Sequence, residues 1–134
     1  MSEIRQIDLD TAWSILSEDP TATLIDVRTK AEWGFVGTPD LSPIHKQARL
    51  VEWIDYPSGS HNPNFIAEAS HGLDKEAPVL LMCRSGARSN AAANALTAAG
   101  FTQAINVAAG FEGDLDGNGH RHGGWKDKLP WKQQ

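Results

Sequence analysis

The only cysteine of this 134-residue chain lies in a segment that carries two arginines and a glycine within five residues. Residues 82–90 read M-C-R-S-G-A-R-S-N, so Cys83 is followed by Arg84, Gly86 and Arg88. The thiolate is the nucleophilic form of cysteine, and nearby cations stabilise it. Arginines bind anions through several N–H donors, and a glycine lets the backbone curl closely around a ligand. The segment predicts a reactive cysteine beside an anion-binding loop; the alternative is a cysteine that serves only as a small buried hydrophobic residue.

The elements around this segment are expected to place the thiol at the edge of a sheet. Residues 78–82 read P-V-L-L-M, a short apolar run typical of a buried strand. Residues 89–99 are rich in alanine, the best helix former, and Gly100 follows where a helix would end. Cys83 would then lie between a strand and a helix N-terminus, where unpaired N–H groups and the helix dipole favour an anion. Open α/β sheets bind their ligands at this edge.

Further strands and helices alternate along the chain. Asp8 is suited to cap a helix in which Leu9, Trp13 and Leu16 share a face. The other predicted elements are strands at 22–27, 48–53 and 104–107, a helical turn at 29–33 and a helix at 64–71. This alternation predicts the α/β class, with a mainly parallel central sheet and helices on both faces.

Composition and charge restrict the classes of function. With 134 residues, of which 40% are hydrophobic and 22% charged, the chain is predicted to form one soluble domain. A net charge of −5 argues against binding to nucleic acid or to an anionic membrane. One cysteine excludes an internal disulfide and a cysteine-rich zinc site. No export signal or membrane-spanning run is visible, so the free thiol predicts a location in the reducing cytoplasm.

Two other groups of residues have both structural and functional interpretations. Asp26 and Arg28 lie two apart on a predicted strand and are expected to form a buried charge network rather than to act in catalysis. Residues 114–119 read D-L-D-G-N-G, like the first half of a calcium-binding loop, but a tryptophan occupies the last ligand position. A glycine-rich turn is therefore favoured there. His120 and His122 are expected to be solvated rather than to bind a metal.

Three segments of the sequence, taken in order, resemble the rhodanese-like sulfurtransferase family. Each is short, and their common order and spacing over about residues 5–113 carry the resemblance. They are L-I-D-V-R with the following E-W (24–28 and 32–33), C-R-S-G-A-R-S (83–89), and G-F, A-I-N-V and A-G-F (100–101, 104–107 and 109–111). The resemblance implies a single rhodanese-like domain over residues 1–134, in which a glycine-rich extension at 114–134 packs on the core.

The resemblance also implies a reaction and a site. Cys83 would accept a sulfane sulfur as a persulfide and transfer it to a thiol or to cyanide. The loop that follows Cys83 is one residue shorter than that of phosphatases with this fold, which favours thiosulfate over phosphate as the bound anion. No cofactor or metal is implied. The residues that would bind the donor anion, through backbone N–H groups and two guanidinium groups, are Arg84, Ser85, Gly86, Ala87 and Arg88.

The sequence departs from the family pattern in one region. Residues 34–48 lack the usual G-H-I-P-G-A segment, so the resemblance does not fix the pocket wall or the preferred acceptor. Trp33 either packs in the interior or lines the mouth of the pocket. The alternatives to a sulfurtransferase are a non-catalytic anion-binding, sulfur-carrier or docking module and, disfavoured by the short loop, a phosphatase or arsenate reductase. The chain is expected to act as a monomer.

Overall fold

The fold is known from a computed structural model, which describes residues 3–55 and 57–133. Its main feature is a central β-sheet with helices packed against it. In chain order the elements are β1 (Arg5–Ile7), α1 (Leu9–Glu18), β2 (Thr23–Asp26), α2 (Lys30–Val36), β3 (Thr38–Pro39), a 3₁₀ turn (Ser42–Ile44), β4 (Arg49–Leu50), α3 (Phe65–Ser70), β5 (Val79–Met82), α4 (Ala87–Ala98), β6 (Ala104–Val107), β7 (Gly113–Leu115), β8 (Arg121–Gly123), α5 (Trp125–Lys128) and β9 (Trp131–Lys132).

The central sheet has five parallel strands in the order β1-β6-β5-β2-β4. Successive side chains of a strand point to opposite faces, and β5 follows this rule. Leu80 and Met82 pack in one apolar cluster together with residues of α1, whereas Leu81 and Cys83 pack in a second cluster together with residues of α3 and α4. The predicted α/β class, with a parallel sheet covered on both faces, is confirmed.

Helix α4 confirms the helix predicted at 89–99, although it begins two residues earlier, at Ala87. Its start is set by Gly86, whose φ of 108° lies in the region that glycine adopts readily. Small residues on its buried face, Ala92 and Ala93, let the helix approach the sheet closely. The N-terminus of α4 lies close to the C-terminal end of β5, because only residues 83–86 separate the two elements.

The segment after residue 112 contains short elements that the sequence pattern did not predict. Strands β7 and β8 form an antiparallel hairpin, and β9 pairs with β3 through Thr38–Lys132 and Pro39–Trp131. Trp125 is fully buried in the same apolar cluster as α1, and its indole N–H donates to the Pro130 carbonyl at 2.7 Å. These contacts hold the C-terminal segment against the core.

Within the described part of the chain, no helix combines the length and the apolar character that a membrane crossing requires.

Candidate active site

Cys83 lies immediately after β5, and its side chain is buried, with a residue exposure of 1%. The backbone N–H of Gly86 donates to Sγ at 3.1 Å, and Ser89 Oγ lies 3.3 Å from the same sulfur. The first contact comes from the turn that leads into α4, and the second comes from the first turn of that helix. A sulfur in this position is surrounded by donors that stabilise negative charge on it.

The loop from Cys83 to Arg88 is held in a tight curve by two close backbone approaches. A Cβ added at Gly86 would lie 2.6 Å from the Ala108 carbonyl oxygen, and one added at Gly110 would lie 2.7 Å from the Cys83 carbonyl oxygen. Both positions therefore require glycine. The curve leaves donors unused: within residues 3–55 and 57–133 no backbone acceptor pairs with the N–H groups of Arg84, Ser85, Ala87 or Arg88. The predicted loop residues thus include several backbone N–H groups without a backbone acceptor among the described residues, which is what an anion-binding loop requires.

The two arginines of the loop have different environments. The Arg88 guanidinium binds the Glu32 carboxylate with two hydrogen bonds, at 2.7 and 2.9 Å. Burial alone would raise the pKa of Glu32, but hydrogen bonds from Arg88 and Thr29 and the charge of Arg88 lower it from 4.5 to about 2. The bond to Glu32 likewise raises the pKa of Arg88. Arg84, in contrast, is exposed, and among the described residues its guanidinium forms no ion pair. Only Arg84 therefore offers a charge that no carboxylate neutralises.

Glu32 has a second role at the start of α2. Its carboxylate accepts the backbone N–H of Thr29 at 3.1 Å, while the Thr29 hydroxyl accepts the N–H of Glu32 at 3.3 Å. This reciprocal capping box fixes the helix N-terminus, and with it the carboxylate that binds Arg88.

Asp26 and Arg28 form the buried ion pair that the sequence indicated. Arg28 Nη2 lies 2.7 Å from Asp26 Oδ2, and both side chains are fully buried. The Arg28 guanidinium also lies 4.1 Å from the centre of the Phe111 ring, and the N–H of Phe111 donates to the Cys83 carbonyl at 2.8 Å. The pair supports the backbone next to the candidate nucleophile instead of facing a ligand.

A cleft of about 560 Å³ opens beside the loop, where Arg84 and Arg88 line it; the buried Cys83 is not among its lining residues. Trp33 does not line it: its side chain is 5% exposed, so the interpretation that placed Trp33 at the mouth is wrong and the packing interpretation holds. Phe35, two residues later on α2, stands at the mouth and is 88% exposed. Of the divergent segment 34–48, only Phe35 and Val36 border this cleft. The lining residues are Thr29, Ala31, Glu32, Phe35, Val36, Ile54, Arg84, Arg88 and Glu112.

Two buried polar residues near the sulfur escaped the sequence analysis. Ser89 is fully buried in the first turn of α4, and Asn106 is 2% exposed in the otherwise apolar β6. Ser89 Oγ lies 2.6 Å from Asn106 Oδ1. The sequence did contain a sign of this contact, the amide of Asn106 in the middle of the apolar run A-I-N-V. A polar side chain buried in a strand requires a hydrogen-bond partner.

Residues 114–122, whose first six resemble half of a calcium-binding loop, span the turn between β7 and β8. Asp116 accepts the backbone N–H groups of Asn118 and His120 at 2.8 and 3.0 Å, and the His122 ring lies 3.4 Å from its second oxygen. Across the part of the chain that the structure describes, no three His, Cys, Asp or Glu residues are grouped to hold a metal ion.

Comparison with known proteins identifies the class to which this fold and site belong. The family model of the rhodanese-like domain matches residues 8–115, and the chain belongs to this family. The crystal structure of Rv0390 from M. tuberculosis is similar with a TM-score of 0.90 and 47% sequence identity, covering 99% of this chain and 100% of that chain. The RP600 homolog of Rickettsia rickettsii is 32% identical over 96% of this chain and 98% of its own length. The thiosulfate sulfurtransferase GlpE of Tolumonas auensis is 28% identical over 84% of this chain and 90% of its own length.

Proposed function

We propose that the protein is a sulfurtransferase that moves a sulfane sulfur from a donor such as thiosulfate to a thiol or to cyanide, through a persulfide on Cys83. The observation that carries this proposal is the placement of Sγ at the N-terminus of α4, 3.1 Å from the Gly86 N–H and in a loop whose other N–H groups have no backbone acceptor within the described part of the chain. This arrangement stabilises both a thiolate and an anion bound next to it.

The first half of the reaction follows from these contacts. The Cys83 thiolate attacks the outer sulfur of thiosulfate, a new S–S bond forms, and the sulfur–sulfur bond of the donor breaks with its electron pair leaving on sulfite. One thiolate and one thiosulfate dianion become one persulfide anion and one sulfite dianion, so no external oxidant or reductant is needed. Arg84 and the loop N–H groups stabilise the charge on the departing sulfite.

The second half returns the enzyme to its starting state. A thiolate or cyanide ion attacks the outer sulfur of the persulfide, and the S–S bond breaks with its electron pair returning to Sγ. The Gly86 N–H, already 3.1 Å from Sγ, stabilises the thiolate as it forms. The proposed direction of approach for the acceptor is the cleft beside Arg84 and Arg88, which is also lined by Phe35 and Val36.

Thiosulfate is the proposed donor for two reasons. The six residues from Cys83 to Arg88 resemble the loop of sulfurtransferases rather than the longer loop of phosphatases, and Arg84 departs from the C-G-S-G pattern typical of mercaptopyruvate-preferring relatives. A relative at 28% identity, GlpE of Tolumonas auensis, is named a thiosulfate sulfurtransferase. The proposal places the protein as a monomer in the cytoplasm, where a single free cysteine stays reduced between turnovers.

Intact-mass spectrometry with and without thiosulfate tests the proposal. The protein is expected to gain one sulfur atom that cyanide removes as thiocyanate, and Cys83→Ser is expected to gain none. Arg84→Met should slow sulfur loading, while Arg5→Met, which removes an exposed arginine at the opposite edge of the sheet, should leave the rate unchanged. A reduced thiol that gains no sulfur from thiosulfate or from an organic persulfide would contradict the proposal and favour an anion-binding module. Hydrolysis of an aryl phosphate that disappears in Cys83→Ser would favour a phosphatase.

A further inference from the structure

The hydroxyl of Ser89 has one proton and several acceptors within reach. Its Oγ lies 3.3 Å from Cys83 Sγ, 2.6 Å from Asn106 Oδ1 and 3.2 Å from the Gly86 carbonyl oxygen. The Gly86 carbonyl already accepts the N–H of Asn90 at 3.1 Å and the amide of Asn106 at 3.2 Å. The Ser89 proton is therefore shared between two competing acceptors, the sulfur and Asn106 Oδ1.

The orientation of the Asn106 amide is fixed by its other contacts. Its Nδ2 donates to Gln6 Oε1 at 2.7 Å as well as to the Gly86 carbonyl, so Oδ1 must face Ser89. Gln6 is fixed in turn, because its Nε2 donates to Asn90 Oδ1 at 2.7 Å. This chain of hydrogen bonds links the edge strand β1 to the first turn of α4. Among the described residues, no other element supplies a hydrogen-bond acceptor to the Ser89 hydroxyl.

We propose that Asn106 is a positioning residue that holds the Ser89 hydroxyl away from Cys83 until negative charge forms on the sulfur. The inference rests on the proposed role of Cys83 as the sulfur-carrying nucleophile. In the thiol and persulfide forms Sγ carries little charge, and Ser89 donates to Asn106 Oδ1. When an acceptor breaks the S–S bond and the electron pair goes to Sγ, the hydroxyl rotates and donates to the thiolate beside the Gly86 N–H. No proton is transferred, so the step is a rotation of one hydrogen bond.

The competition predicts effects of opposite sign for the two residues. Ser89→Ala removes a donor to the thiolate, so the thiolate fraction of Cys83 should fall about tenfold at a pH where the unaltered protein is mostly thiol. Asn106→Leu removes the competing acceptor while keeping the same branching at Cγ, so the same fraction should rise by about threefold. In the double variant Asn106→Leu should have no further effect, because the proposal attributes its influence on Sγ to the Ser89 hydroxyl and not to the bond that its Nδ2 donates to the Gly86 carbonyl.

The experiment measures the thiolate of Cys83 directly. Because the chain has a single cysteine, the ultraviolet absorbance of the thiolate, taken as a difference from Cys83→Ser over a pH series, reports this site alone. The rate at which cyanide removes sulfur from the loaded protein should follow the same order: Asn106→Leu fastest, Ser89→Ala slowest. Thr97→Ala, which removes a hydroxyl from the same helix that bonds to the Ala93 carbonyl, is the matched control and should change neither readout.

The charged groups near the loop are left in place by these substitutions. They are Arg84 and Arg88 in the loop and α4, Asp26 and Arg28 at the end of β2, Glu32 on α2 and Glu112 after β6.

The outcomes separate this inference from the proposed function. A lower or unchanged thiolate fraction in Asn106→Leu, or an effect of Asn106→Leu that persists beside Ser89→Ala, would overturn the inference. If Asn106→Leu does not fold, Asn106→Val carries the same expected sign on a strand where a β-branched residue fits well. The absorbance titration needs no sulfur donor, so it tests the inference even if the protein transfers no sulfur. If the protein transfers sulfur but the effects of Ser89→Ala and Asn106→Leu on the thiolate fraction simply add, the inference fails and the proposed function stands.

Discussion

The ion pair between Glu32 and Arg88 gives a prediction whose size follows from the structure. Replacing Glu32 by Gln keeps the shape but places an amide NH₂ against the Arg88 guanidinium, which in the unaltered protein donates two hydrogen bonds to the carboxylate, at 2.7 and 2.9 Å. The pKa of Glu32 falls from 4.5 to about 2 on folding, and at ~1.36 kcal/mol per unit this shift corresponds to about 3 kcal/mol. Because the two side chains are 23% and 20% exposed, solvent weakens the pair, and we expect Glu32→Gln to lower the free energy of unfolding by about 2 kcal/mol at neutral pH.

The same pair predicts a pH dependence with a definite sign. The folded-state pKa of Glu32 is depressed, so its contribution to stability is complete above 4.5 and is lost as the pH falls towards about 2. Urea denaturation of the unaltered protein and of Glu32→Gln should be compared at a series of pH values. The difference between their free energies of unfolding should be constant above about pH 5 and should shrink below it. Glu18→Gln, at an exposed site on α1, is the matched control and should cost less than about 0.5 kcal/mol. A difference that stays constant into the acid range would refute the reasoning.

Three further substitutions test separate parts of the site. Gly110→Ala should destabilise the protein by about 3 kcal/mol, because the added Cβ would lie 2.7 Å from the Cys83 carbonyl oxygen. Gly117→Ala is the control and should be nearly neutral, since there is open space around Gly117. Thermal denaturation of the two variants tests this difference in stability. Arg28→Met should cost about 3–5 kcal/mol in urea denaturation by leaving Asp26 buried and unpaired, and a double variant that also replaces Asp26 by Leu should recover part of the loss. Phe35→Ala should lower kcat/KM for a bulky apolar thiol by about fivefold, because one side of the cleft loses its apolar wall. The value of kcat/KM for cyanide should not change. Leu115→Ala, at an exposed site outside the cleft, is the control and should change neither value.

The sequence predicted those elements whose pattern is local and strong. The buried strands β2, β5 and β6 are short apolar runs, and α4 has an alanine-rich composition with a glycine after its end, so each was found within two residues of its bounds. Strands β3 and β9 have two residues each and exist only because Thr38 pairs with Lys132, far along the chain. No window of the sequence contains both partners. Such strands cannot be predicted from periodicity.

The sequence proposed a nucleophile and a loop for the candidate site but did not reveal the groups that contact them. Cys83 and its arginines are adjacent in sequence, so their types and spacing already indicate the chemistry. Glu32 and Asn106 act on the same loop from 56 and 17 residues away, at Arg88 and Ser89 respectively. Their roles depend on side-chain geometry that only the folded sheet and α2 create, although the buried amide in β6 was a signal that a partner must exist.

The pairing of Arg88 with Glu32 changes how the loop must bind an anion. Counting charges along the sequence assigns two cations to the loop, but Arg88 is neutralised by Glu32, and Glu112 adds a carboxylate at the cleft. One uncompensated guanidinium, that of Arg84, remains among the residues lining the cleft. If the proposed function is right, a dianionic donor is expected to be held mainly by the backbone N–H groups at the start of α4, whose positions depend on the curve enforced at Gly86 and Gly110. The proposal therefore attributes specificity for a small anion to the shape of the loop more than to its number of positive side chains.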